Sequence, residues 1–141
     1  MTEQGSGLTG GCLCGAVRYR VSGPLRDVVV CHCGQCRRTH GHVAAYTNAG
    51  DADLEIVEDR GLAWYRSSGH ARRGFCTGCG ASLFFKPDGG TSTGITAGTL
   101  DAPTGLKTVA HIYTAHGGDY YEMPDDVVRH AEDGPPSGVA G

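Results

Sequence analysis

The chain has 141 residues, 39% hydrophobic and 19% charged, with 24 glycines, six prolines and a formal charge of −3. That length suits one domain of ordinary size rather than two full cores, and the glycine and proline content excludes long helices. No apolar run nears the roughly 18 residues of a membrane span, the first residues lack the basic and apolar regions of a secretory signal, and the negative charge gives no pull toward a phosphate backbone. A cytoplasmic protein without nucleic-acid or membrane partners is therefore expected.

In chain order, residues 1–7 are small and polar and are expected to form a flexible tail. Val17, Tyr19 and Val21 then share one parity, the alternation of a half-buried strand. A helix of a turn or two is predicted after Cys33, through Gln35, Cys36, Arg37, Arg38 and Thr39, ending at Gly41. Leu54 with Ile56 and Leu62 with Trp64 repeat the strand pattern, and residues 83–86, 95–100 and 109–113 add further strands. The stretch 89–94, Gly-Gly-Thr-Ser-Thr-Gly, lacks the Gly-Lys-Ser/Thr ending and following helix of a phosphate loop and reads as a hairpin turn. Residues 131–141 combine Gly, Pro and charge without periodicity, a second flexible tail. The expected architecture is a single all-β domain over residues 8–128, built of antiparallel sheets with little helix.

Seven cysteines are the largest departure from ordinary composition, and an odd number cannot all pair internally. In a reducing compartment, clustered thiols more often bind metal or do chemistry than form staples. They fall into three clusters: Cys12-Leu13-Cys14, Cys31-His32-Cys33-Gly34-Gln35-Cys36 and Cys76-Thr77-Gly78-Cys79. In an extended segment residues i and i+2 share a face, so Cys-x-Cys offers two sulfurs to one ion. Cys-x-x-Cys closes a tight turn that Gly78 tolerates, and Gly15 and Gly80 suit the same close backbone approach.

A structural zinc takes four ligands and a catalytic one commonly three, so the simplest partition joins Cys12, Cys14, Cys76 and Cys79 in a closed site and leaves Cys31, Cys33 and Cys36 around a second, open ion. Thiolate softness favours zinc over iron or copper(I). Two other readings stay open at this point. Cys76 and Cys79 alone could be a redox pair, though no βαβ pattern surrounds them, and His32, His40 or His42 could close the second site into a purely structural one. His70, His111, His116 and His130 read as surface or packing residues. Arg37 and Arg38 are either carboxylate-binding forks or a solvated pair, and Arg72 and Arg73 are expected at the surface.

With their neighbours, these clusters resemble the glutathione-dependent formaldehyde-activating (GFA) family, which also includes centromere protein V. The motifs that carry the resemblance are GGCLCGAVRY at 10–19, CHCGQCRRTHG at 31–41, FCTGCGASLFF at 75–85, GTLD at 98–101, HIY at 111–113 and YYEMPDD at 120–126. The resemblance implies a tent-like all-β zinc fold with a structural zinc on Cys12, Cys14, Cys76 and Cys79, a catalytic zinc on Cys31, Cys33 and Cys36, and so two ions per chain. It further implies a carbon–sulfur lyase acting on a thiol–aldehyde adduct of the S-hydroxymethylglutathione kind, with a small-molecule thiol or such an adduct as its ligand. His32 is the expected carrier of the adduct's hydroxyl proton, and Arg37 and Arg38 the expected substrate-binding residues. The chain departs from the better-known family pattern after HIY, where His116-Gly117-Gly118-Asp119-Tyr120 replaces a Lys-Ala-Pro-Trp stretch. The alternative, from a different class, is a non-catalytic zinc-stabilised module that binds a protein partner.

Overall fold

The computed structural model describes residues 7–132. The tails expected at 1–7 and 131–141 fall outside that range except for Gly7 and residues 131–132. Residues 130–132 lie against 113–115 through backbone hydrogen bonds: the Tyr113, Thr114 and Ala115 N–H groups donate to the carbonyls of Glu132, His130 and Ala131 at 2.8, 3.1 and 3.1 Å.

Strands dominate, as the sequence pattern predicts. They are β1 (Leu8–Gly11), β2 (Arg18–Val21), β3 (Val28–Cys31), β4 (Ala44–Gly50), β5 (Leu54–Glu58), β6 (Leu62–Arg66), β7 (Ala71–Cys76), β8 (Ser82–Pro87), β9 (Ser92–Thr96), β10 (Thr108–Ile112) and β11 (Val128–Arg129). The single α-helix among the described residues, α1 (Gly34–His40), follows Cys33 as expected and ends at Gly41, whose φ of +82° is the left-handed conformation of a helix C-cap. A three-stranded antiparallel sheet has the order β1-β2-β5, and an eight-stranded sheet the order β11-β10-β3-β4-β9-β8-β7-β6. Neither closes on itself.

The large sheet differs from a pure meander at one end, where β10 pairs in parallel with both β3 and β11. Apolar alternation marks a strand without fixing its direction, and the long separation between β3 and β10 allows the crossover that parallel pairing requires. A second difference concerns residues 95–100, expected as one strand. β9 stops at Thr96, a 3-10 turn occupies Ala97–Thr99, and Leu100 bridges back to Gly10. The hydroxyls explain the break: Thr99 Oγ1 donates to the Thr96 carbonyl at 2.8 Å and meets the Tyr19 hydroxyl at 2.7 Å, tying the turn to β2. The turn predicted over 89–94 is narrower, because β9 begins at Ser92.

Two core clusters result. The first packs Val17, Tyr19, Val21, Leu83, Phe84 and Ile95 between the small sheet and the centre of the large one, and Cys12 and Cys76 belong to it. Full burial of such side chains contributes about 1.5–3 kcal/mol apiece. The second gathers Val29, Ala44, Tyr46, Ala110 and Ile112 around Cys31 and Cys36. Each predicted metal site therefore borders its own core.

Candidate metal centre

The fold brings the seven cysteines into two groups. Cys12, Cys14, Cys76 and Cys79 form one, Cys31, Cys33 and Cys36 the other, and within each the sulfurs all lie within 4.8 Å of one another. This is the partition expected from ligand count.

At the four-cysteine group, Cys12 and Cys14 come from the turn between β1 and β2, and Cys76 and Cys79 from the end of β7 and the turn into β8. The Cys12 and Cys14 sulfurs are 3.8 Å apart, and those of Cys14 and Cys76 3.7 Å apart. Four sulfurs at about 2.3 Å from a tetrahedral zinc stand about 3.8 Å from one another, whereas a disulfide requires about 2.05 Å. The donor set fits zinc. The Cys-x-Cys lies in a bend rather than an extended segment, and Gly15, with φ of +86°, turns the chain after it. Gly61 knits the loops together. Its N–H donates to the Ala16 carbonyl at 3.0 Å and its carbonyl accepts from Thr77 N at 2.8 Å, while a Cβ there would stand 2.9 Å from the Cys76 sulfur. Val17 N and Gly78 N donate to the sulfurs of Cys12 and Cys76, each at 3.3 Å. Burial opposes ionisation of Cys12, but the Val17 N–H and the surrounding thiols outweigh it and bring its pKa down to about 6.

At the three-cysteine group, Cys31 ends β3, Cys33 caps α1 and Cys36 lies in the first turn of that helix. Cys36 N donates to Cys33 Sγ at 3.3 Å, a thiolate serving where Ser or Asp ordinarily caps a helix. The hydrogen bonds from Cys31 and Cys36 hold Cys33 far below its ordinary range, and sharing with Cys33 and Cys36 pushes Cys31 up. Three such sulfurs ionise together only beside a cation. Among the described residues no histidine or carboxylate joins this group as a fourth donor.

The three histidines considered for that position are engaged elsewhere. His32 Nδ1 meets the Tyr121 hydroxyl at 2.6 Å and its Nε2 meets His111 Nδ1 at 3.0 Å. His40 Nε2 meets the Tyr46 hydroxyl at 3.1 Å, and His42 Nδ1 the Tyr120 hydroxyl at 2.7 Å. Burial, with His111 and His42 nearby, keeps His32 below the ordinary histidine pKa. His111 is a packing residue, as expected, but it packs as part of this His–Tyr network.

Arg38 is exposed, whereas Arg37 is half-buried and its Nε has no hydrogen-bond partner among the described residues. Arg72 is at the surface, its guanidinium 4.2 Å from the Trp64 ring centre. Arg73 is not. It is only 5% exposed and contacts Cys36, correcting the expectation that both arginines are solvated. The strand explains the error, since successive residues of β7 face opposite sides and Arg73 shares the inward side with Ala71. A cleft of about 360 Å³ opens beside Cys33, bordered by Gln35, Ser68, His70, Arg73 and Tyr113. Tyr113 adopts φ of +55°, the left-handed backbone that non-glycine residues rarely take and that clusters at functional sites.

An open-sheet β fold with two cysteine groups able to hold a metal defines a class, and comparison with known proteins gives it a name. The family described as glutathione-dependent formaldehyde-activating enzyme matches residues 7–116. The chain belongs to that family. The match ends before Tyr120 and Tyr121, so the last motif of the resemblance lies beyond it. A crystal structure of a Rhodobacter sphaeroides protein, a structural-genomics target, is 27% identical and superposes with a TM-score of 0.58, covering 71% of this chain and 97% of that one. No curated protein matches.

Proposed function

We propose that the protein is a zinc-dependent carbon–sulfur lyase that separates, or forms, a thiol–aldehyde adduct at the Cys31, Cys33 and Cys36 site. The observation that carries this reading is the donor count: three buried or half-buried sulfurs converge without a fourth protein ligand among the described residues, next to a cleft. Zinc held there would supply a site for a fourth, exchangeable sulfur and lower that thiol's pKa. Cys12, Cys14, Cys76 and Cys79 would hold a second, structural zinc, giving two ions per chain.

The chain's own groups supply the rest. In the lyase direction the adduct's carbon–sulfur bond breaks, its hydroxyl proton leaves, and an aldehyde and a thiol depart. Tyr121, whose hydroxyl burial and neighbouring Tyr120 keep protonated above the ordinary range, also feels the Cys31 sulfur and hydrogen-bonds His32, so this pair, backed by His111, is the group we assign to the hydroxyl proton. Of the two helix arginines, Arg38 is exposed and Arg37 half-buried with its Nε shut off from solvent, so a carboxylate of the thiol would meet their terminal guanidinium nitrogens rather than that Nε. No helix among the described residues is long and apolar enough to cross a membrane, and all seven cysteines are free thiols, which together support a reducing, cytoplasmic setting.

The test is thiol titration into cobalt-substituted protein, paired with proton NMR of formaldehyde exchange with glutathione and smaller thiols. A change in the cobalt d–d bands on thiol addition, together with accelerated exchange, is expected. Unchanged bands with metal retained would mean a closed site, leaving a zinc-stabilised module that binds a protein partner.

A further inference from the structure

Arg73 is buried in β7, yet none of the ion pairs among the described residues includes it. Its Nε and Nη2 both donate to Gln35 Oε1, at 3.1 and 2.7 Å, Nη1 donates to the Tyr46 hydroxyl at 3.1 Å, and Nη2 also reaches Cys36 Sγ at 3.7 Å. The Phe85 ring centre lies 4.9 Å from its Cζ. An arginine does not deprotonate in a protein, and a buried charge requires a compensating one. Gln35 occupies the fork in the manner of a carboxylate but is neutral. Tyr46 is neutral too. The group able to carry a negative charge among these acceptors is therefore the Cys36 sulfur. Among the described residues no arginine donates to the other cluster's sulfurs, which accept from the backbone of Val17 and Gly78.

We propose that Arg73 is the buried counter-charge of the Cys31, Cys33 and Cys36 cluster, a positioning residue that orients the Cys36 sulfur and sets how tightly this site, and not the four-cysteine site, keeps its metal. The inference rests on the three-thiolate reading above. When three thiols take up a divalent ion they release three protons, so the site becomes one charge more negative, a change that a fixed guanidinium favours and leaves balanced. Gln35 strengthens the effect, because an amide holds the fork in place while leaving its positive charge for the sulfurs.

The experiment compares the full-length protein with Arg73→Met, Arg73→Lys and Gln35→Glu, each loaded with zinc or cobalt and challenged with graded chelator. Metal retained per chain gives affinity, and mass spectrometry of alkylated peptides shows which cysteines were released. Arg73→Met and Gln35→Glu are expected to lose about 10- to 100-fold in affinity at the three-cysteine site, the usual effect of removing a ligand's supporting partner. Arg73→Lys, which keeps the charge, should lose less, and the four-cysteine site should hold its metal equally in all. Gln35 is exposed, so its variant keeps the question open to test should Arg73→Met fail to fold. Unchanged affinity in Gln35→Glu and in a folded Arg73 variant overturns the proposal. So does a loss in Gln35→Glu alone, since the new carboxylate then acts by itself. A wild-type chain that takes up no metal at the three-cysteine site defeats the three-thiolate reading before any variant is compared.

Discussion

Tyr46 has a fully buried ring and a hydroxyl with two partners: it accepts from Arg73 Nη1 and shares a hydrogen bond with His40 Nε2, both at 3.1 Å. Burial and then the Arg73 charge bring His40 down to a pKa of about 4, so its ring is neutral at neutral pH. Tyr46→Phe keeps the ring packing and orphans both partners in a low-dielectric interior, where an unmade hydrogen bond to a charged group is costly. The expected loss is about 1–3 kcal/mol in denaturant unfolding with an unchanged m-value, and a stability equal to wild type would show that the hydroxyl contributes nothing to this network. The seven cysteines were legible in the sequence because their spacing is local. Arg73, Tyr46 and Gln35 were not, because their partners lie 27 to 38 residues apart and only the sheet order of β4, β7 and the start of α1 brings them together.

Among elements, α1 has seven residues, well short of what an isolated helix needs in water, so its ends decide whether it forms. Its N-cap is the Cys33 sulfur, which gives one side chain two tasks. Serine at that position can still cap the first turn but is a poor partner for a soft metal, whereas alanine can do neither. Cys33→Ser is therefore expected to stay folded with one metal lost, and Cys33→Ala to lose a further 1 kcal/mol or so, read from thermal melts beside zinc content; indistinguishable melts would remove the cap from the account. This helix was legible from Cys33 to Gly41, as were β2, β5 and β6 from their alternation and β8 as a short apolar segment ahead of the Pro87-Asp88-Gly89-Gly90 turn. β3 was not, since Val28, Val29, Val30 and Cys31 are all buried and a strand covered on both faces shows no alternation. The parallel direction of β10 was equally silent, because pairing partners distant in sequence leave no trace in a local pattern.

At the scale of the whole molecule the two cysteine groups are placed for different mechanical work. The four-cysteine group joins the β1–β2 turn, part of the small sheet, to the β7–β8 turn of the large sheet, and its Cys14 and Cys76 are 62 residues apart. Its ion would close a long loop and clamp the first core, whereas the three-cysteine group bridges only the step from β3 to α1. Apparent binding free energies of structural zinc are about 10–16 kcal/mol, comparable with the roughly 5–15 kcal/mol that separates a folded domain from its unfolded chain. Cys14→Ser or Cys79→Ser should therefore give insoluble or poorly folded protein. Cys36→Ser removes the sulfur that Arg73 faces and should destabilise the second core more than Cys33→Ser, yet leave a chain that folds, keeps one zinc and lacks thiol–aldehyde activity. Circular dichroism, melting curves and zinc content of the four variants decide the matter. Equal collapse of all four would show that both clusters are structural clamps, and equal survival would show that the sheets hold together without the first.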